Sequence, residues 1–220
     1  MNYQSDVFYY DLGYRFVILG DSNTGKSTLL SKLFDDVKSN YLTSGTDFRS
    51  TCITINDKKC KLHLWDTSGK LDYRELITSF IKNRDGIILC FNLADPETFL
   101  NLDNWKTIID THKSAHTQVI LVGVKNDLVR EVAFEQGQKY AMDNNWEYTE
   151  ISCIINSKNI ICDKIFVSLA KKIYRMYPSL ETNLIAKPPV IISDSEPQKS
   201  TIYDYTIEHP KNSYFNCNIL

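Results

Sequence analysis

The chain has 220 residues, 43% of them hydrophobic, and its 25 basic and 27 acidic residues leave a net charge of −2. That length suits one domain of ordinary size with a tail, and the apolar fraction supplies a core. The charge balance gives no general attraction to nucleic acid, no apolar run approaches a membrane span, and the polar, aromatic residues 1–11 do not read as a signal peptide.

In chain order, residues 1–11 read as an N-terminal extension. The apolar run Phe16-Val17-Ile18-Leu19 marks a strand over 14–19, followed by a helix over 26–35. Strands are predicted over 47–55 and 59–65, joined by the hairpin-type turn Asn56-Asp57. A short helix near 72–81 precedes a strand over 86–92. A helix over 96–112, a strand over 118–124, a helix over 131–144, a strand over 148–152 and a helix over 158–177 complete the domain. Strands separated by helices must pair in parallel through crossovers. The prediction is an α/β fold with a six-stranded, mostly parallel sheet, one antiparallel edge strand and helices on both faces, spanning 12–177. From Pro178 the prolines at 178, 188, 189, 197 and 210 lie among Ser, Asn, Thr and Lys, so 178–220 reads as a flexible tail. Cysteines at 52, 60, 90, 153, 162 and 217 make no Cys-x-x-Cys pair, and several sit in apolar runs. They read as buried thiols of a reducing compartment, which favours the cytosol.

Residues Gly20-Asp21-Ser22-Asn23-Thr24-Gly25-Lys26-Ser27 fit the phosphate-loop pattern G-x-x-x-x-G-K-[ST], between a strand and a helix. Glycines let the backbone wrap a polyphosphate with its N–H groups inward, and the following helix points its positive end at the same charge. Lys26 can reach the β- and γ-phosphates, and the Ser27 hydroxyl can ligate Mg²⁺. A strand-to-helix turn without a ligand would need none of this agreement. Trp65-Asp66-Thr67-Ser68-Gly69 follows the third strand. Asp66 at a strand end can hold Mg²⁺, and the Gly69 N–H can reach a γ-phosphate. Gly123-Val124-Lys125-Asn126-Asp127 closes the fifth strand, and its Asp127 carboxylate can accept from guanine N1 and N2, a donor pair adenine lacks.

Together these residues resemble the Ras superfamily of small GTPases, most closely its Rab branch, over about residues 8–177. Ser44-Gly45-Thr46-Asp47-Phe48 is similar to the Rab stretch Ile-Gly-Val-Asp-Phe. Lys61-Leu62-His63-Leu64-Trp65-Asp66-Thr67-Ser68-Gly69 is similar to Lys-Leu-Gln-Ile-Trp-Asp-Thr-Ala-Gly, and Glu150-Ile151-Ser152-Cys153 to Glu-Thr-Ser-Ala. The resemblance implies a phosphate-loop NTPase fold, GTP/GDP and Mg²⁺ as ligands, and a monomeric switch that binds effectors in its GTP state, served by an exchange factor and a GAP. The nucleotide would be held by Gly20, Asp21, Ser22, Asn23, Thr24, Gly25, Lys26, Ser27, Thr28, Thr43, Asp66, Thr67, Ser68, Gly69, Lys70, Val124, Lys125, Asn126, Asp127, Ser152 and Cys153. By the match, Thr43 is the switch threonine that ligates Mg²⁺ beside Ser27 and Asp66, and Ser152 and Cys153 read guanine O6 through their backbone. Phe48, Trp65 and Phe80 match an effector-facing aromatic patch, although strand aromatics need no partner to explain them.

The family pattern breaks at several positions. Lys70, with Gly69 at the catalytic position, replaces the glutamine that orients the attacking water, and a lysine carries no acceptor. Leu71 replaces the next glutamate, and Ile154 the lysine after the Ser-Ala pair. Val124 replaces the asparagine that ties the base loop to the phosphate loop. Lys38 falls where an aromatic covers the guanine. The chain ends Cys217-Asn218-Ile219-Leu220, a C-a-a-X box of geranylgeranyl type. One prenyl chain without a basic cluster holds weakly, so an escort or a membrane receptor is expected. The sequence thus reads as a Rab-like switch with weak intrinsic hydrolysis, peripheral on the cytosolic face of a membrane. Its rivals are a pseudo-GTPase interaction module, favoured by Lys70 and Val124, and a nucleotide kinase, whose arginine-rich lid is not visible.

Overall fold

Seven of the eight residues of the first strand, β1 (Leu12–Leu19), are buried, which a strand achieves only inside a sheet covered on both faces. The computed structural model describes residues 10–35, 46–70 and 74–177. The other strands are β2 (Thr46–Ile55), β3 (Lys58–Thr67), β4 (Gly86–Asn92), β5 (Gln118–Val124) and β6 (Glu147–Ile151). Their order is β2-β3-β1-β4-β5-β6, with β2 and β3 antiparallel and every other pair parallel. The predicted sheet is therefore observed, its antiparallel strand at the edge. Asn56 and Asp57 join β2 to β3 with φ of 48° and 62°. A two-residue loop with both φ positive matches the twist of its strands, and Asn and Asp tolerate that region.

Successive side chains of β1 enter opposite cores, as the two-residue period requires. Phe16 and Ile18 pack with Leu30, Leu62, Phe166 and Ile173 on one face. Val17 and Leu19 pack with Ile77, Ile87, Trp105 and Leu121 on the other. The first layer holds α1 (Lys26–Leu33), α6 (Lys158–Ile161) and α7 (Ser168–Met176). The second holds α2 (Arg74–Ile81), α3 (Pro96–Leu100), α4 (Leu102–His112) and α5 (Phe134–Asp143).

Three predicted helices differ in detail. The helix expected over 96–112 divides at Asn101 into α3 and α4. The helix expected from 131 starts at Phe134, because the N–H groups of Glu131 and Val132 both donate to the Leu93 carbonyl, at 2.9 and 3.1 Å. The last helix runs from α6 into α7 through a π-helical stretch at Cys162–Val167. Its buried Ile161, Ile165, Leu169 and Ile173 are four residues apart. An ordinary helix would swing that stripe by about 40° per step, and the wider π turn brings it back toward the core.

Among the described residues, no helix is long and apolar enough to cross a membrane, and the cysteines form no disulfide, Cys60, Cys90, Cys153 and Cys162 being buried and Cys52 half-buried. The predicted tail at 178–220 and Thr43, Lys38, Leu71 and Cys217 lie outside the described residues.

Candidate functional site

The sheet brings the ends of β1, β3, β5 and β6 to one edge, and each carries one of the motifs. Between β1 and α1 the phosphate loop takes left-handed φ at Gly20 (132°), Asn23 (63°) and Gly25 (103°). A Cβ on Gly20 would stand 2.1 Å from the Cys90 carbonyl oxygen, so that position admits only glycine. The Thr24 hydroxyl donates to the Asp21 carbonyl at 2.9 Å and closes the turn.

Lys26 is buried, and its ammonium donates to the carbonyls of Gly20 at 2.9 Å and Asp21 at 2.7 Å. Burial pulls its pKa below the usual lysine range, while Cys90, Asp66 and Asp21 oppose the shift. Helix α1 starts with no capping side chain and no acidic residue in its first turn. An uncapped helix N-terminus that carries a buried ammonium in its first turn suits an anion.

Ser27 Oγ donates to Asp66 Oδ2 at 2.5 Å, and Asp66 is buried at the end of β3. Hydroxyl and carboxylate oxygens are the donors a hard cation takes, so this pair fits Mg²⁺ with phosphate and water completing its shell. Thr67 Oγ1 donates to the Ile18 carbonyl at 2.8 Å and anchors the strand end to β1. Gly69 presses on the phosphate loop, where a Cβ would stand 2.2 Å from the Ser22 nitrogen. Lys70 is exposed, and its N–H donates to Ser68 Oγ at 3.3 Å.

The base-side loops meet through one hydroxyl. Ser152 Oγ donates to Asp127 Oδ1 at 2.5 Å and accepts from the Ile154 and Ile155 N–H groups at 3.0 and 3.1 Å. That uses its full capacity of one donor and two acceptors, so Asp127 is held by a fully engaged partner. The Asn126 N–H donates to the Ile151 carbonyl, and Lys125 takes φ of 64°. Cys153 is buried, whereas Ile154 is 66% exposed. Val124 faces the phosphate loop, its Cγ1 3.5 Å from where a Gly25 Cβ would stand. The contact between the two loops at this point is apolar.

Phe48 and Trp65 pack together, and Arg84 lies near both Trp65 and Phe80. The Phe48 and Trp65 rings lie 5.0 Å apart, and Phe48 is 52% exposed. The Arg84 guanidinium lies 4.0 Å from the Trp65 ring and 6.0 Å from Phe80. Trp65 and Phe80 are half-buried against the second core. Sequence reasoning missed Arg84, and also Trp105 and Asn101, which hydrogen-bond Asp21. No motif flags these three, because each reaches the site across sequence separations that only the folded chain closes.

A model of the Ras family matches residues 15–175. The chain belongs to the Ras family. It is 35% identical over 167 residues to the Ras-related protein SEC4 of Saccharomyces cerevisiae, covering 74% of this chain and 76% of that protein. It is 31% identical over 218 residues to the Ras-related protein Rab-8A of Rattus norvegicus, covering 96% and 98%. The GTP-binding protein Rab-3D of the same organism is 33% identical over 205 residues, covering 87% and 90%. The chain is a divergent, Rab-like member of the family and shares its small-GTPase switch architecture.

Proposed function

We propose that this Rab-like protein is a GTP/GDP switch on intracellular membranes, with weak intrinsic hydrolysis. One observation carries the reading: Lys26, the Ser27–Asp66 pair and the Asp127–Ser152 pair converge at one sheet edge, as phosphate, cation and base contacts must. Lys26 and the α1 N-terminus bind the phosphates, and residues 20–28 shape the cradle. Ser27 and Asp66, with Thr43, hold Mg²⁺, which neutralises phosphate charge when bound. Asp127 selects guanine. Lys125, Asn126, Val124, Ser152 and Cys153 form the wall on that side.

Hydrolysis is weak because Lys70 stands exposed at the water-orienting position and has no acceptor. Catalysis of phosphoryl transfer is largely positioning and charge stabilisation, so loss of the positioning group falls on the rate and spares binding. Intact Lys26, Ser27 and Asp66 favour this reading over a pseudo-GTPase, which would have no need to keep them. Cys217 carries a geranylgeranyl group, and a prenyl escort delivers the chain to the cytosolic face of its membrane. Phe48, Trp65 and Phe80 meet effectors.

The test is the nucleotide that co-purifies with the protein, followed by competition of GTP, ATP and XTP for wild type and Asp127→Asn. Bound GDP or GTP, and a shift toward XTP in the variant, are expected. Equal binding of ATP and GTP by the wild type would sink the proposal. Cys217→Ser should move the chain from the membrane fraction to the soluble fraction of cells; a variant that still fractionates with membranes would show that the anchor lies elsewhere.

A further inference from the structure

Two local preferences oppose Asp35. It follows Phe34, the C-cap residue of α1, with a left-handed φ of 52°, a position that glycine or asparagine usually fills. Its carboxylate also stands at the negative end of the helix dipole, where an acidic group is repelled. Lys158 is misplaced in the same sense. It is the first residue of α6, at the positive end of a helix that continues to Met176. The two misplaced charges meet: Lys158 Nζ donates to Asp35 Oδ2 at 2.6 Å, across a sequence separation of 123 residues. The Lys158 side chain is only 14% exposed, so its stem is packed and the pair costs less ordering than one between two open side chains.

The helices joined by this pair serve opposite ends of the nucleotide. Helix α1 begins with Lys26 and Ser27, the phosphate and cation contacts. Helix α6 begins where the base loop ends, and that loop is stitched to itself. The Ser152 N–H donates to Asn156 Oδ1 at 2.8 Å, the Asn156 N–H donates to the Ser152 carbonyl at 3.0 Å, and Ser152 Oγ holds Asp127. Ser157 then caps α6 by accepting from the Ile160 N–H. A displacement of α6 therefore reaches Asp127 with little slack. Where Val124 meets the phosphate loop, the contact is apolar and lacks the direction of a hydrogen bond.

We propose that Lys158 and Asp35 are positioning residues for the bound nucleotide: their ion pair fixes the base loop, through α6, against α1 and its phosphate contacts, and so slows nucleotide release. The proposal rests on the nucleotide-binding reading above and adds to it two residues that belong to none of its motifs. A nucleotide held at both ends leaves only when one end yields, so a tie between the ends falls on the release rate. Neither helix gains from its own charge, which leaves the joining of the two as what the pair accomplishes.

The test measures release of a fluorescent GDP analogue, and the melting temperature, in the full chain. The variants are Asp35→Asn, Lys158→Met, the two together, and the exchange Asp35→Lys with Lys158→Asp. Asp35→Asn and Lys158→Met should each release about threefold faster, and the two together no faster than either alone. Their melting temperatures should hold or rise, because each removes a charge from the wrong end of a helix. The exchange should bring release back toward the wild-type rate. Single variants that release as the wild type does, effects that add, or an exchange as fast as the single variants would overturn the proposal. A melting temperature that falls in step with faster release would make the pair merely structural and overturn it too. A wild type that binds no GDP would overturn the switch reading and this one together; normal GDP binding with wild-type release in every variant defeats this inference alone.

Discussion

The indole N–H of Trp105 donates to Asp21 Oδ1 at 2.8 Å, and Asn101 Nδ2 donates to the other oxygen of the same carboxylate at 2.8 Å. Asp21 belongs to the phosphate loop, and Trp105 and Asn101 belong to α4 and its N-cap. A carboxylate beside a polyphosphate is repulsive unless something holds it aside and spreads its charge. Two neutral donors from α4 and its N-cap do both, and they tie the loop to a helix that carries no nucleotide motif of its own.

Trp105→Phe keeps the buried ring but removes the N–H. The lost hydrogen bond to a charged acceptor is worth about 1.5 kcal/mol, which corresponds to about tenfold faster GDP release. Stopped-flow release of a fluorescent GDP analogue measures it. An unchanged rate, at unchanged melting temperature, would show that the carboxylate is held well enough by Asn101 alone.

Val124→Asn should slow GDP release. Val124 Cγ1 already faces Gly25, so an amide there reaches the loop that valine meets only through apolar contact. A restored hydrogen bond of about 1 kcal/mol gives roughly fivefold slower release. Faster release would mean that the apolar contact is the better tie.

Lys70→Gln should raise single-turnover GTP hydrolysis, because glutamine supplies the acceptor and donor that lysine cannot combine. Phosphate release from the GTP-loaded protein, with and without a GAP, is the readout. A wild type faster than the variant would mean that the Lys70 cation itself stabilises transition-state charge.

The base-loop strand carries an acid-sensitive lock. Arg130 donates to both oxygens of Glu150, at 2.9 and 2.5 Å, and Tyr148 donates to one of them at 2.6 Å. Burial alone would raise the Glu150 pKa, but these hydrogen bonds outweigh it and hold the carboxyl below its ordinary value of 4.5. A depressed folded pKa adds stability above the unfolded value and loses it as pH falls through the folded one. Glu150→Gln should therefore cost about 1 kcal/mol at pH 7, discounted for the exposed arginine. The gap between variant and wild type in urea unfolding should close as pH falls below the ordinary carboxyl value of 4.5 and through the lower folded one. A gap constant with pH would assign the effect to packing.

Much of this molecule is legible in one dimension. Apolar runs placed every strand within two residues, and the spacing of Gly20, Gly25, Lys26 and Ser27 named the phosphate loop, because backbone conformation and phosphate chemistry dictate residue types locally. The Asn56-Asp57 turn was readable for the same reason: two left-handed residues admit few side chains. The break at Asn101 was not readable, since its amide is turned toward Asp21, 80 residues away. Nor was the π stretch, which answers to where the first core lies and not to helix propensity. The placing of Phe48 beside Trp65 came from strand register, and Arg84 reaches Trp65 from the loop before β4. Local chemistry chose the motifs; long-range packing decided which side chains they would meet.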